Sequence, residues 1–296
     1  MSEDCTTGKR KFESEEDQDS ARGAEKKRKT EQEYAPGSKP LDSKFKNGDY
    51  VVGWICAITT EYVAAQAFLD EKHEGPEYVS PNDDNIYTLG RIGKHNVVIA
   101  VLPDGEHGTS SAARVGSGLQ HTFPNVRIGL LVGIGGGAPA KHDIRLGDIV
   151  VSAPREGKGG IFQYDFGKTI QNQTFHTTGF LNQPPVLLRA AMNDLKARYE
   201  IDGHDIEETV KTILDKRPRL KKRYRRPDPS SDRLYRSTVI HPPGDEATCA
   251  QVCSHDSKDL ITRITRPEDE MLVIHYVLIT SSNQLLKDAS IRDRLY

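Results

Sequence analysis

Three groups of residues in this chain have types and spacing that could do chemistry. The first is a single carboxylate, Glu61, at the opening of TTEYVAAQAFLD (59–70) and directly after the apolar run DYVVGWICAI (49–58). A carboxylate in a first helical turn is favoured by the helix dipole alone, which is a sufficient structural reason for it. The carboxyl ends of strands are also where open α/β sheets bind ligands, and a glutamate there is well placed as a general base toward a water. The second group is the glycine loop of LLVGIGGGAP (130–139), with Gly133, Ile134, Gly135, Gly136 and Gly137 in succession. The third is Cys249-x-x-x-Cys253, with His241 and His255 nearby.

The glycine loop carries the letters of a dinucleotide fingerprint, with Ala138 in the last place. That fingerprint must open directly into a helix whose N-terminus receives the pyrophosphate. Here Pro139 follows at once, then KHDIRLGD, a turn leading into the strand-like GDIVV, and Glu156 lies among glycines where a ribose-binding acid would belong. Gly167-Lys168-Thr169 supplies the lysine and hydroxyl of a triphosphate loop, but its earlier glycine would fall at Phe162. No Gly-x-Ser-x-Gly elbow occurs. Two readings remain. The loop lets a ligand lie against bare main-chain N–H groups at a sheet edge, or it makes a tight turn between strands. The Cys/His group could hold zinc, but its spacing is loose and no second pair completes it, so free thiols are the favoured reading and no metal is assigned.

The elements that must position these groups are legible from apolar pattern. DYVVGWICAI reads as a buried strand, and 59–70 as a helix with Val63 and Phe68 on a shared face. NIYTLGRIG and HNVVIAVLP read as two strands joined at Gly93-Lys94. TSSAARVGSGLQHTF (109–123) suits a helix capped by Thr109 or Ser110. RIGLLVGIG and GDIVVSAP are further strands, PPVLLRAAMNDLKARYE (184–200) is an amphipathic helix opened by prolines, and MLVIHYVLITSS (271–282) is one strand-like run before a helical beginning in NQLLKDASIRDRLY. Strands alternating with helices imply an α/β sheet with helices on both faces.

Composition sets the outer limits. The chain has 296 residues with 41 basic and 43 acidic side chains, so its net charge points to no partner. No apolar stretch reaches the roughly 18–20 residues of a membrane span, and the charged start is not a secretory signal. Four cysteines in such a length make no disulfide framework, which suits cytosol or nucleus. Residues 1–48 are charged and poor in β-branched and aromatic residues, and read as a disordered tail. Its clusters Lys9-Arg10-Lys11 and Lys26-Lys27-Arg28-Lys29 read either as a bipartite nuclear import signal or as a solvated, charge-balanced tail. The basic stretch KRPRLKKRYRR reads as part of a solvated excursion loop over about 216–233. Asp202, Asp205, Glu207, Glu208 and Asp215 stand upstream to neutralise it, and Tyr224 is its sole stacking platform, which disfavours nucleic acid.

Five segments in order, Ala57-Ile58-Thr59-Thr60-Glu61, LPDGEHGTSSAA, LLVGIGGGAP, IRLGDIVVS and IHYVLITSSNQLLKDA, resemble the purine and uridine phosphorylase superfamily, especially the nucleosidase-like domains of fungal multidomain receptor-like proteins. The resemblance covers residues 49–296. It implies a twisted mixed sheet flanked by helices, a Rossmann-like three-layer α/β fold, and cleavage of the N-glycosidic bond of purine nucleosides or nucleotides. Glu61 then matches the water-activating glutamate. Gly133, Ile134, Gly135 and Gly136 match the loop beneath the ribose or phosphate, and Asn283, Gln284 and Leu285 fall where the purine base is touched. The implied partner is a small-molecule nucleoside or nucleotide, in a homo-oligomer, with no cofactor, no metal and no membrane.

Departures from the family pattern shape the expectation. Leu131 stands where hexameric phosphorylases place a phosphate-binding arginine, and Ile134 where a hydroxyl residue is usual. A pocket lacking both would hold a phosphate dianion poorly, so hydrolysis is expected over phosphorolysis. The family's ribose-binding glutamate and its base-protonating aspartate come later than Tyr296, so the last part of the fold is expected to be missing. A domain that senses nucleosides without cleaving them is the alternative reading.

Overall fold

The computed structural model describes residues 44–295 apart from positions 140, 156, 180, 254, 255 and 268–270. The basic clusters, Glu156 and His255 lie outside the described residues. The first helical turn, at Asn47–Asp49, precedes the boundary expected at Asp49. Asn47 is buried there, donating to the carbonyls of Tyr78 and Thr122 and accepting from Glu77 N, so the folded unit starts by Lys44 rather than after 48. A side-chain amide able to satisfy three main-chain groups outweighs the polar composition of its neighbours.

A five-stranded sheet holds the site. Strand β1 (Val52–Cys56) runs into helix α1 (Thr59–Ala67). The short β2 (Glu71–Lys72), then β3 (Tyr87–Ile92) and β4 (His95–Val101), form an antiparallel meander whose last turn uses Gly93 at φ 58°. Helix α2 (Thr109–Thr122) crosses over to β5 (Ile128–Leu131). The strand order is β2-β3-β4-β1-β5, with β1 parallel to both β4 and β5. The sheet is therefore mixed. In β4, Val97 and Ile99 pack with Val52, Cys56, Ala65 and Leu69 on the α1 face. Val98 and Ala100 pack with Val115, Leu119 and Phe123 on the α2 face. Strands buried on both faces are continuous apolar runs for this reason, and helices cover both sides.

The rest of the chain forms smaller ladders. Strand β6 (Ile149–Ser152), β7 (Ile161–Gln163), β8 (Gly167–Lys168) and β9 (His176–Thr177) are followed by α3 (Val186–Asp202), α4 (Ile206–Asp215) and α5 (Pro218–Tyr224). A single-turn helix α6 (Cys249–Val252) comes next, then β10 (Ile274–Val277), β11 (Ile279–Ser281) and α7 (Ala289–Arg294). The run 271–282 is thus two strands, β10 parallel to β6 and β11 parallel to β7, with the break at Leu278. The basic stretch expected as a loop is helical at α5. Pro218 occupies the helix's opening, where its missing N–H costs nothing, and Lys, Arg and Leu that follow are good helix formers. Its charge is met from upstream: Lys221 Nζ lies 2.6 Å from Asp215 and Arg226 2.5 Å from Glu207. Helix α3 buries none of its residues.

One buried ion cluster ties the late segments to β6. The fully buried Asp148 carboxylate accepts from Arg266 at 2.7 and 2.8 Å, from His275 Nε2 at 2.9 Å, and from the main-chain N–H groups of Arg145 and Val273. Burial alone would push this carboxyl up. Arg266 and the other donors more than offset that and hold it well below the usual carboxylate range. Among the described residues no helix is long and apolar enough to cross a membrane.

Candidate functional site

Strands β1, β4 and β5 are parallel, so their carboxyl ends lie at one edge of the sheet. From β1 the chain turns to α1 on one face, and from its neighbour β4 it turns to α2 on the other. Adjacent strands whose connections leave to opposite faces open a crevice between them, the place where open α/β sheets take ligands.

Glu61 sits at that edge and is buried. Its Oε2 accepts from Ala57 N at 2.6 Å and Ile58 N at 3.2 Å, closing the first turn of α1 upon the end of β1. Its Oε1 reaches across to β5 and accepts from Ile134 N at 2.7 Å. The carboxylate thus clasps the glycine loop from the neighbouring strand. Gly133 is required by this contact, since a Cβ there would come within 2.7 Å of Glu61 Cδ and closer still to Oε1. Three main-chain donors use three of the roughly four lone-pair directions of a carboxylate, leaving about one for a water or a ligand hydroxyl.

The glycine loop is not a tight turn of the kind that needs positive φ. Gly133, Gly135, Gly136 and Gly137 all lie outside that region. Gly137 is confined by Ile144, 3.1 Å from where a Cβ would stand, but Gly135 and Gly136 have open space around them. Neither backbone geometry nor packing within the described residues demands glycine at 135 or 136. Their bareness serves close approach by something outside the fold, or nothing at all. Ile134 presents its side chain to solvent at 72% exposure, and Leu131 at 70%.

The loop between β4 and α2 forms the other part of the edge. A shallow cleft of about 450 Å³ is lined there by Gly105, Glu106, His107, Ser110, Ser111 and Arg114. Glu106 accepts from Ser111 Oγ and, at 2.8 Å, from Arg114. The hydroxyl first, then the guanidinium, hold its carboxyl below the usual range. Gly105 at φ 79° and Gly108 at φ 88° bracket this turn. The sequence pattern alone gives Glu106, Ser111 and Arg114 no role. Two glycines three residues apart around an acid, before a run of hydroxyls, was the available signal.

Asn283 docks here from the end of β11. Its Oδ1 accepts from Thr109 N and Thr109 Oγ1, both at 2.9 Å. The cap of α2 therefore comes from Asn283, with Gly108 at the N-cap position, rather than from Thr109 or Ser110. The main chain of Asn283 donates to Asp165 at 2.8 Å, and Ser282 Oγ does so at 3.2 Å. Burial would raise the Asp165 carboxyl, and these donors with Gln163 bring it below its usual range instead. Gln284 N donates to Ser282 Oγ, and Leu285 is exposed. Glu61 and the glycine loop are thus joined directly, as are Asn283 and the α2 terminus. Gln284 and Leu285 make neither junction.

The third group also converges. Cys249 Sγ and Cys253 Sγ each lie 3.5 Å from His241 Nδ1, although the sequence spacing had favoured unassociated thiols.

Over 164 residues, 55% of its length, the chain is 54% identical to a protein of the fungus Hyaloscypha variabilis described as a nucleotide-binding leucine-rich repeat (NLR)-like protein. The match spans 16% of that relative's length. No family model matches the chain, and no solved structure does.

Proposed function

We propose that residues 44–295 form a nucleoside phosphorylase-like domain that takes a purine nucleoside or nucleotide at the carboxyl edge of the sheet and hydrolyses its N-glycosidic bond. The observation that carries this reading is the clasp between Glu61 and the loop at Ile134, beside two glycines that the fold itself does not need. A sugar lying on Gly135 and Gly136 would meet main chain with no side chain in the way. A water on the remaining lone pair of Glu61 would be oriented and deprotonated as its oxygen bonds to the sugar's anomeric carbon. The bond from that carbon to the base nitrogen breaks, and the base leaves with the electron pair and takes up a proton. Neither Leu131 nor Ile134 offers a cation or hydroxyl to a phosphate, which favours water as the attacking group.

A second reading rests on the same carboxylate. Three of its acceptor directions are already committed to main chain, as in a purely structural tie. A domain built that way would bind a nucleoside or nucleotide and report it without cleaving it. The relative's description as a nucleotide-binding leucine-rich repeat-like protein suits such a receptor role.

Chromatography of the products from a panel of purine nucleosides and nucleotides in phosphate-free buffer, with calorimetric binding on the same samples, decides between them. Release of free base supports hydrolysis, and binding without release supports the sensor. Absence of both would refute a nucleoside site.

A further inference from the structure

We propose that His241, Cys249 and Cys253 bind a zinc ion that staples the segment between α5 and β10. The three ligand atoms lie within 4.8 Å of one another. Tetrahedral zinc with Zn–S of about 2.3 Å and Zn–N of about 2.0–2.1 Å sets its nitrogen and sulfur ligands about 3.6 Å apart. Both observed N···S separations are 3.5 Å.

The imidazole is already oriented for this. His241 Nε2 stands 2.9 Å from the Asp245 carbonyl oxygen, which accepts and never donates, so the ring hydrogen resides on Nε2. Nδ1 then carries a bare lone pair facing the two sulfurs. Such a backbone partner on the far nitrogen is the usual support of a metal-bound histidine. A single lone pair accepts one S–H, and the second thiol is left to bond to its neighbour's sulfur. One metal ion would hold all three ligand atoms at once. Two thiolates and an imidazole form a donor set suited to zinc.

Local structure brings the sulfurs to one side. Cys249 opens α6 and Cys253 follows its last residue, one helical turn on, where residues four apart share a face. Tyr235 Oη donates to the Cys249 carbonyl at 3.2 Å and so ties the turn to the preceding segment. The energetic need is plain as well. Among the described residues after Gly160, Cys253 alone is buried. A segment without an apolar core needs another source of folding energy, and metal binding supplies it directly.

The test uses the full chain, expressed with zinc in the medium, purified without chelator and measured by inductively coupled plasma mass spectrometry. One zinc per chain is expected after dialysis, with Cys249 and Cys253 protected from alkylation until a strong chelator is added. Cobalt in place of zinc should give a thiolate-to-metal charge-transfer band in the near ultraviolet. Cys249 is exposed and lies outside the apolar core of the five-stranded sheet, so Cys249→Ser is expected to keep that sheet folded while it loses the metal and the band and loosens the segment between α5 and β10. Three results would overturn the proposal: a chain without metal, alkylation indifferent to chelator, or a Cys249–Cys253 disulfide in protein isolated without air. None of these readouts depends on nucleoside cleavage.

Discussion

Replacing Gly133 with alanine probes the clasp at the sheet edge. The added Cβ would stand within 2.7 Å of Glu61 Cδ, about 1 Å short of the ~3.5–4.0 Å of an ordinary carbon contact. The carboxylate has no free direction in which to retreat. Ala57 and Ile58 hold one oxygen from behind, and Ile134 holds the other. Overpacking a closed site costs about 1–3 kcal/mol, and moving the carboxylate off Ile134 N forfeits a charged hydrogen bond of about 1.5–3 kcal/mol. The two alternatives compete, so a loss of about 2–3 kcal/mol is expected for Gly133→Ala. In a domain of this size that lowers the thermal midpoint by about 5–10 °C. Gly135→Ala adds its methyl to open space and should change stability by less than about 0.5 kcal/mol. Its effect belongs to the ligand: nucleoside affinity should fall while the melting curve stays put. Urea unfolding of the two variants beside the parent chain is the assay. Equal stability of Gly133→Ala and Gly135→Ala would refute the clasp, and undiminished nucleoside affinity in Gly135→Ala would refute the glycine platform.

Other outcomes follow from the same geometry. Asp148→Asn leaves Arg266 and His275 facing a neutral group in a buried site, and should cost about 3–5 kcal/mol in denaturant unfolding. Because the folded chain holds Asp148 below its ordinary value, its contribution is complete above pH ~3.9 and is lost as pH falls below that. His73 acts over a different range. Burial holds its imidazole below the ordinary 6.5, with Phe45 stacked 4.1 Å away and Tyr50 Oη 2.9 Å from Nδ1. The unfolded chain therefore binds the proton first, so stability should decline as pH drops through about 6.5, and His73→Phe should flatten that part of the profile. Asn283→Ala removes the cap of α2 and should cost about 1 kcal/mol, seen as a lower urea midpoint with an unchanged slope.

The sheet that carries the site was legible because its strands are buried on both faces. Val97 to Ala100 read as an unbroken apolar run, and their alternate contacts with α1 and α2 explain why. Glu61 and the glycine loop were visible as types at strand ends, but their junction was not. It depends on β5 pairing with β1 across 73 residues of sequence. The cap that Asn283 places on α2 spans 174 residues, and no local propensity announces it. The break at Leu278 was hidden because β10 and β11 are both apolar and differ only in which partner strand they join. Helix α5 was hidden by charge, which suggested a loop although its residues are good helix formers. The histidine and two cysteines looked too loosely spaced for a site. One helical turn and one folded-back loop bring them together.

The most direct measurement of the central claim is base release from a purine nucleoside in phosphate-free buffer, comparing the parent chain with Glu61→Gln. The amide turns a donor toward one of three main-chain N–H groups, so a stability loss of about 1–3 kcal/mol accompanies the change and folding must be monitored on the same samples. Release by the parent and none by the folded variant is expected. Release that requires phosphate, or that persists in Glu61→Gln, would contradict the central claim.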